Sequence, residues 1–340
     1  MSFEIIHKAI NEAASNAEKV SFDISKDKWI LFSDHHRGRK DGADDFLICE
    51  PAYKTAIEHY FEKGYTMAML GDVEEFWENP IYSVLLKYKD LMLLEKKFFD
   101  ENRLYRIWGN HDEQWQFGRF ITKHLDFLFP NIEVHEALQI QFRKDEEVIG
   151  SSLLIHGHQG NLESDRYAWL SKFFVKYAWR NIQRLFNIAL SSTPSKDLSL
   201  RSNHDRAMYE WAKLIDKQLI ICGHTHQPVF ESKNKLDRLQ DELKQVENRI
   251  SQAENEQDIE RVQQEIKKLK ENYTSLDEFS SKLPRYFNTG CCSYSDGDIT
   301  GIELEQNNIR LIKWSGGIYS KKTVLQETSL EGLFSQEILK

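Results

Sequence analysis

Short apolar runs that break abruptly into polar residues mark the first two thirds of the chain. The earliest is Trp29-Ile30-Leu31-Phe32, which runs into Ser33-Asp34. A run this short, bounded by turn chemistry, predicts a buried strand that hands its last residues to a loop. The pattern recurs at 66–70 before Gly71-Asp72, at 104–108 before Gly109-Asn110-His111-Asp112, at 153–155 before His156-Gly157, and at 219–222 before Gly223-His224-Thr225-His226. Residues 2–19 read as an amphipathic helix, and helical stretches fall near 51–63, 80–100 and 114–125. Strands alternating with helices predict an α/β sheet, and such sheets carry their chemistry beyond the strand ends.

Two segments differ. Residues 161–215 hold long helical patterns rich in Trp, Phe and Tyr and read as a helical lid inserted between sheet strands. Residues 233–278 carry two heptad seams, Leu236, Leu239, Leu243, Val246 and Ile250, then Ile259, Val262, Ile266, Leu269, Tyr273 and Leu276. The seams are out of phase across 253–258, which predicts an antiparallel coiled-coil hairpin. A hairpin also returns the chain to the strand expected at 285–292, where one helix rising roughly 1.5 Å per residue would not. Runs at 300–304 and 309–314 around Asn307-Asn308 read as a β-hairpin. The expected organisation is a core over 1–232 that includes the lid, an inserted hairpin over 233–278, and strands within 279–340 that complete the core.

Composition narrows the picture. The 340 residues carry 45 Lys and Arg against 54 Asp and Glu, a net charge of −9. This acidic balance weighs against non-specific nucleic-acid binding, which depends on neutralising phosphates. No apolar run approaches the ~20 residues of a membrane helix. The N-terminal stretch lacks the apolar core of a secretory leader, and none of Cys49, Cys222, Cys291 and Cys292 stands in a CxxC pair. The expectation is a reduced, cytoplasmic setting.

Each strand end finishes in side chains able to hold a metal: Asp34 and His36, Asp72, Asn110 and His111, His156, then His224 and His226. One such residue is usually a turn or surface group, but five clusters at five strand ends form a pattern. Mixed imidazole and carboxylate donors suit Mn, Fe, Zn, Ni or Co. Their number fits two ions sharing one carboxylate. Asp72 is the natural bridge, since a carboxylate has two oxygens and a neutral imidazole offers one nitrogen.

Here the chain resembles the calcineurin-like metallophosphoesterases. Asp34-His35-His36 matches D-x-H, Gly71-Asp72-Val73-Glu74-Glu75 matches G-D-x-x-(D/E), and Gly109-Asn110-His111-Asp112 matches G-N-H-(D/E). His156 stands for the isolated histidine, Gly223-His224-Thr225-His226 for G-H-x-H, and Phe287-Asn288-Thr289-Gly290 is similar to the strand that usually follows. The resemblance implies a metallophosphoesterase β-sandwich flanked by helices. It implies Asp34, His36 and His226 on one divalent cation, Asn110, His156 and His224 on a second, and Asp72 between them, with Mn²⁺ the first choice of metal. It further implies in-line attack on phosphorus by a hydroxide shared between the cations. His111 would stabilise developing charge or the leaving oxygen, and Glu75 would orient His111.

Gly71–Trp77 and the segment after His156 are similar to the UDP-2,3-diacylglucosamine pyrophosphatase branch. That likeness implies a phosphodiester or pyrophosphate substrate, nucleotide- or lipid-linked, and a lid holding acyl chains. Lys172, Lys176, Arg180 and Arg184 form a basic stripe able to meet phosphates or an anionic membrane surface, and equally able to be a solvated helix face. Arg37-Gly38 after His36 departs from that branch, as does the 233–278 insertion. A phosphomonoesterase or protein phosphatase, a cyclic-nucleotide phosphodiesterase, and a scaffold that self-associates or docks a partner through the hairpin are the alternatives. Arg37 stands evenly between gripping a phosphate and forming a salt bridge. His35 reads as structural, His158 as a loop or supporting residue, and Cys291-Cys292 as packing.

Overall fold

Strands whose both faces are apolar need cover on both sides, and the chain provides it with two sheets packed face to face and helices outside each. The computed structural model describes residues 3–159, 198–230, 285–317 and 319–335, together with Lys267. Among these residues one sheet has seven strands, in the order β13 (Lys322–Ser329), β12 (Asn308–Trp314), β11 (Ile299–Glu305), β2 (Lys28–Phe32), β3 (Thr66–Leu70), β4 (Leu104–Ile107) and β5 (Val134–His135). The other has six, in the order β1 (Glu18–Asp23), β6 (Ala137–Lys144), β7 (Glu147–Ile155), β8 (Gln218–Cys222), β10 (Tyr286–Thr289) and β9 (Pro228–Val229). Strands β2 to β5 are parallel, as are β7, β8 and β10, whereas β11, β12 and β13 form antiparallel pairs.

Period-two alternation sorts the apolar residues into three layers. Trp29, Leu31, Ala68 and Leu70 face inward and meet Leu138, Ile140, Leu154, Leu219 and Ile221 between the sheets. Ile30, Phe32, Met67 and Met69 face outward, under Tyr53, Ala56, Ile57 and Tyr60 of α2 (Glu50–Glu62) and under Leu91 and Phe98 of α4 (Lys89–Asp100). On the far side Leu153, Ile155, Ile220 and Cys222 pack beneath Ile6, Ile10 and Ala13 of α1 (Phe3–Asn16) and Ala207, Met208 and Trp211 of α6 (Leu198–Lys213). Each such large side chain contributes ~1.5–3 kcal/mol on burial.

The parallel strands that carry the motifs lie where the apolar runs place them, and the hairpin β11–β12 turns through Gln306 and Asn307, both in left-handed backbone. Several boundaries differ from the sequence reading. The first helix ends at Asn16, and 18–23 form β1, a half-exposed strand whose pairing with β6 lies more than a hundred residues away. The stretch near 80–100 breaks at Tyr88 into α3 (Ile81–Lys87) and α4. The stretch near 114–125 is a 3-10 turn (Glu113–Gln116) followed by α5 (Gly118–His124). The last part of the expected lid, α6, is instead a flanking helix of the sandwich, because its apolar face is committed to β7, β8 and α1. The chain ends its described part in α7 (Leu330–Ser335), which packs on the inter-sheet core through Leu330, Leu333 and Phe334. The remainder of the lid and the heptad segment 233–278, apart from Lys267, lie outside the described residues. No described helix is long and apolar enough to cross a membrane. All four cysteines are buried free thiols.

Candidate metal centre

The C-terminal ends of β2, β3 and β4 from one sheet, and of β7 and β8 from the other, point the same way. The loops they feed bring Asp34, His36, Asp72, Asn110, His156, His224 and His226 together. Five of these seven leave their strands in left-handed backbone: Asp34 at φ 53°, His36 at 51°, Asp72 at 51°, His224 at 69° and His226 at 55°. Non-glycine residues held there cost of order 1 kcal/mol or more each, and they persist where the surroundings over-determine them. The loops are laced accordingly: Asp34 N–H donates to the Gly71 carbonyl at 3.1 Å, His36 N–H to the Asp72 carbonyl at 2.9 Å and Gly223 N–H to the His156 carbonyl at 2.9 Å. Glycine is obligatory at Gly109, where a Cβ would fall 2.2 Å from Asp72 Oδ1, and at Gly223, where it would fall 2.3 Å from Asp34 Oδ2.

At the centre, three sets of donor atoms lie within 4.8 Å of one another: Asp34 with His36 and His226, His36 with Asp72 and His111, and Asp72 with His156 and His224. Nε2 of His36 and Nε2 of His226 stand 3.0 Å apart, and Nε2 of His156 is 3.1 Å from Asp72 Oδ2. The far nitrogens are already engaged. Nδ1 of His156 meets the Leu70 carbonyl at 2.8 Å, and Nδ1 of His36 meets Glu75 Oε2 at 3.0 Å. Hydrogen bonds of this kind fix the ring orientation and aim Nε2 inward. Asp34 accepts the His224 N–H at 2.9 Å and the Ser33 hydroxyl, and Asp72 accepts the His111 N–H at 2.8 Å.

The electrostatics are those of a buried anionic pocket. Burial alone would push the Asp72 carboxyl up, but the imidazoles of His156 and His111 outweigh it and hold it well below the carboxylate range. Glu75 is held at about 2 by His111 and His36 against the same burial. In turn His36 rises to about 10 because Glu75 and Asp72 overcome its desolvation, and His156 to about 9 through Asp72. The pocket thus draws positive charge to itself, as protons on imidazole.

A family model for calcineurin-like phosphoesterases matches residues 28–228, a span that holds all seven donors. The chain belongs to the calcineurin-like phosphoesterase family. These phosphoesterases are metal-dependent hydrolases of phosphoester bonds, and the family works with a dinuclear divalent centre. No curated protein matches the chain closely enough to count as a relative. The phosphoesterase donors fit such a centre on their own terms. Asn110 Oδ1 is buried without a hydrogen-bond partner, a state that costs about 1–3 kcal/mol unless a cation or water completes it. Inward-facing imidazole nitrogens around shared carboxylates are the donors that divalent transition metals prefer.

Other candidates fall in different places. His111 lies against the centre, with Nδ1 2.5 Å from Glu75 Oε2, so Glu75 joins His111 to the donor His36. Arg37 does not reach the centre. It is about 1% exposed and forms a two-pronged pair with Glu95, Nη1 to Oε2 at 3.2 Å and Nη2 to Oε1, with Phe46 and Tyr53 beside it. The alternatives of a phosphate grip and a surface salt bridge therefore both give way to a buried ion pair. His35 is enclosed by Phe46 and Tyr53, and burial together with Arg37 holds it neutral. His158 lies beside His156 and Trp108. Lys172, Lys176, Arg180 and Arg184 lie outside the described residues.

Sequence reasoning missed three supporting groups. Ser33 bonds both Asp34 and, at 2.6 Å, Thr289 of β10. Asp112 clasps two loops by accepting the N–H groups of Gly109 at 2.6 Å and Val73 at 2.8 Å. Trp77 stacks on His111. The first two have their signal in the motifs, which place a polar residue beside each donor.

Proposed function

We propose that the chain hydrolyses a phosphodiester or pyrophosphate, with Asp34, His36 and His226 holding one divalent cation, Asn110, His156 and His224 a second, and Asp72 shared between them. The position of Asp72 carries this reading, since its carboxylate belongs to two donor sets at once. Two cations held there would supply Lewis acidity, able to acidify water and polarise the phosphoryl group at neutral pH. Mn²⁺ is the metal we would load first, with Fe, Zn, Ni and Co as alternatives for this donor set.

The chain's own groups do the rest. Leu70 and Glu75 orient His156 and His36 so that the donor atoms are in place before anything binds. Glu75 accepts the Nδ1–H of His111 and so holds the ring in place; as an imidazolium that ring would present its Nε2–H to the oxygen that gains charge. The buried arginines flanking the loops, Arg37 and Arg106, spend their charge on Glu95 and Glu74. Neither adds the positive charge that a dianionic monoester would call for, which favours a substrate with one charge on the reacting phosphorus. The likeness of Gly71–Trp77 to the pyrophosphatase branch supports the same class, with a nucleotide or lipid-linked leaving group.

The test is hydrolysis of bis-p-nitrophenyl phosphate and p-nitrophenyl phosphate by protein stripped of metal and reloaded with Mn²⁺. The expected result is metal-dependent turnover that favours the diester. A clear preference for the monoester would overturn the substrate class.

A further inference from the structure

Trp77 occupies a place that the metal chemistry does not explain. Its indole lies flat on the imidazole of His111, with ring centres 3.9 Å apart and planes 20° from parallel. Its Nε1–H donates to the main-chain carbonyl of Asn110 at 2.7 Å. Its own N–H donates to Glu75 Oε1 at 3.1 Å, while Glu75 Oε2 faces His111 Nδ1. Glu75, Trp77 and His111 therefore close a ring of contacts. His111 is gripped in its plane by a carboxylate and across its face by an indole, and the edge-on ring of His36 lies 4.6 Å away. Phe76 N–H donates to the His111 carbonyl at 3.2 Å, so the loop bearing the indole and the loop bearing the imidazole are tied through the main chain as well.

We infer that Trp77 is a positioning residue for His111: the stack fixes the plane of the imidazole and the indole N–H fixes the peptide that carries it. A single hydrogen bond to Nδ1 leaves a histidine free to rock about that bond, whereas a ring stacked on one face removes the rocking. Orientation of this kind acts on the transition state, because a group misplaced by about 1 Å loses up to ~100-fold in rate while the ground state still binds. The inference rests on the role given to His111 above.

The experiment compares Trp77→Leu, Trp77→Phe, His111→Ala and Trp77→Leu/His111→Ala. Each is assayed for kcat and KM on a phosphodiester with an unactivated leaving group, for bound metal, and by ¹H–¹⁵N histidine spectra of the Zn²⁺-loaded, diamagnetic protein. Trp77→Leu should lower kcat by about tenfold, leave KM within about twofold and keep the metal content. The ring-current shift of the His111 protons should vanish in Trp77→Leu and persist in Trp77→Phe, which should regain much of the lost kcat. The double variant should be no slower than His111→Ala. Wild-type kcat in Trp77→Leu, multiplicative losses in the double variant, or loss of metal from Trp77→Leu would each overturn the inference. If His111→Ala itself turns over normally, the role assigned to His111 is what fails, and the role of Trp77 falls with it.

Discussion

The ion pair between Arg37 and Glu95 separates two accounts of the residue that follows His36. Both partners are about 1% exposed, and Tyr53 donates its hydroxyl to Glu95 Oε1 at 3.2 Å. The Nε of Arg37 has no partner, so Glu95 carries most of the compensation for that charge. Glu95→Ala leaves the guanidinium uncompensated in the interior, which destabilises by about 3–5 kcal/mol. Unfolding entropy of ~2.1 cal/mol/K per residue over 340 residues amounts to about 0.7 kcal/mol/K, so the expected fall in Tm is about 4–7 °C. Replacing both partners by apolar groups of similar bulk, Arg37→Met with Glu95→Leu, should recover most of that loss, because no buried charge is then left unpaired. Scanning calorimetry of the metal-loaded variants gives the stabilities, and steady-state assays of the same samples give KM. If Arg37 gripped substrate instead, Arg37→Met would raise KM several-fold and leave Tm where it was. That outcome would refute the reasoning from burial.

Four further outcomes are expected. Asp72→Ala should bind fewer than two cations by elemental analysis and show no turnover; full activity would sink the shared-ligand mechanism. Gly109→Ala should lose activity and metal while keeping its far-UV circular dichroism, since the new methyl falls 2.2 Å from Asp72 Oδ1. His111→Ala should slow turnover by about 100-fold with both cations still bound; metal loss would make His111 a ligand. Loading the stripped protein at pH 7 should release up to about two protons, because His36 and His156 hold theirs to about 10 and about 9 and must become neutral to ligate. Affinity should therefore rise with pH toward those values, and calorimetric titrations in buffers of different ionisation heat that show no proton uptake by buffer would contradict this.

The candidate donors stand out in the sequence because they fall at the ends of doubly buried strands, where an apolar run stopping at Asp, Asn or His marks the element and suggests its chemistry. Strands β2, β3, β4, β7 and β8 announced themselves in the same way. β1 and β6 did not. Their residues alternate between half-exposed and buried, and what fixes them is a partner far along the chain, such as Val20 opposite Ile140. Arg37 was illegible for a local reason. It follows a residue in left-handed backbone and pairs there with Glu74, and nothing in the letters Arg37-Gly38 says which way the guanidinium turns. Trp77 lay in plain view within Gly71–Trp77, yet its neighbour His111 comes from another loop, so only the assembled fold reveals the stack.

The donors divide between the sheets: Asp34, His36, Asp72 and Asn110 hang from one, His156, His224 and His226 from the other. Under the proposed ligand assignment the centre would be a cross-link as well as a reagent. Bound cations would rivet the two halves of the sandwich at one rim, and a slip of one half along the other by about one ångström would pull the donor set apart before any strand came undone. On that assignment, activity would read the registry of the sheets, and agents that loosen the inter-sheet core should silence turnover well ahead of global unfolding.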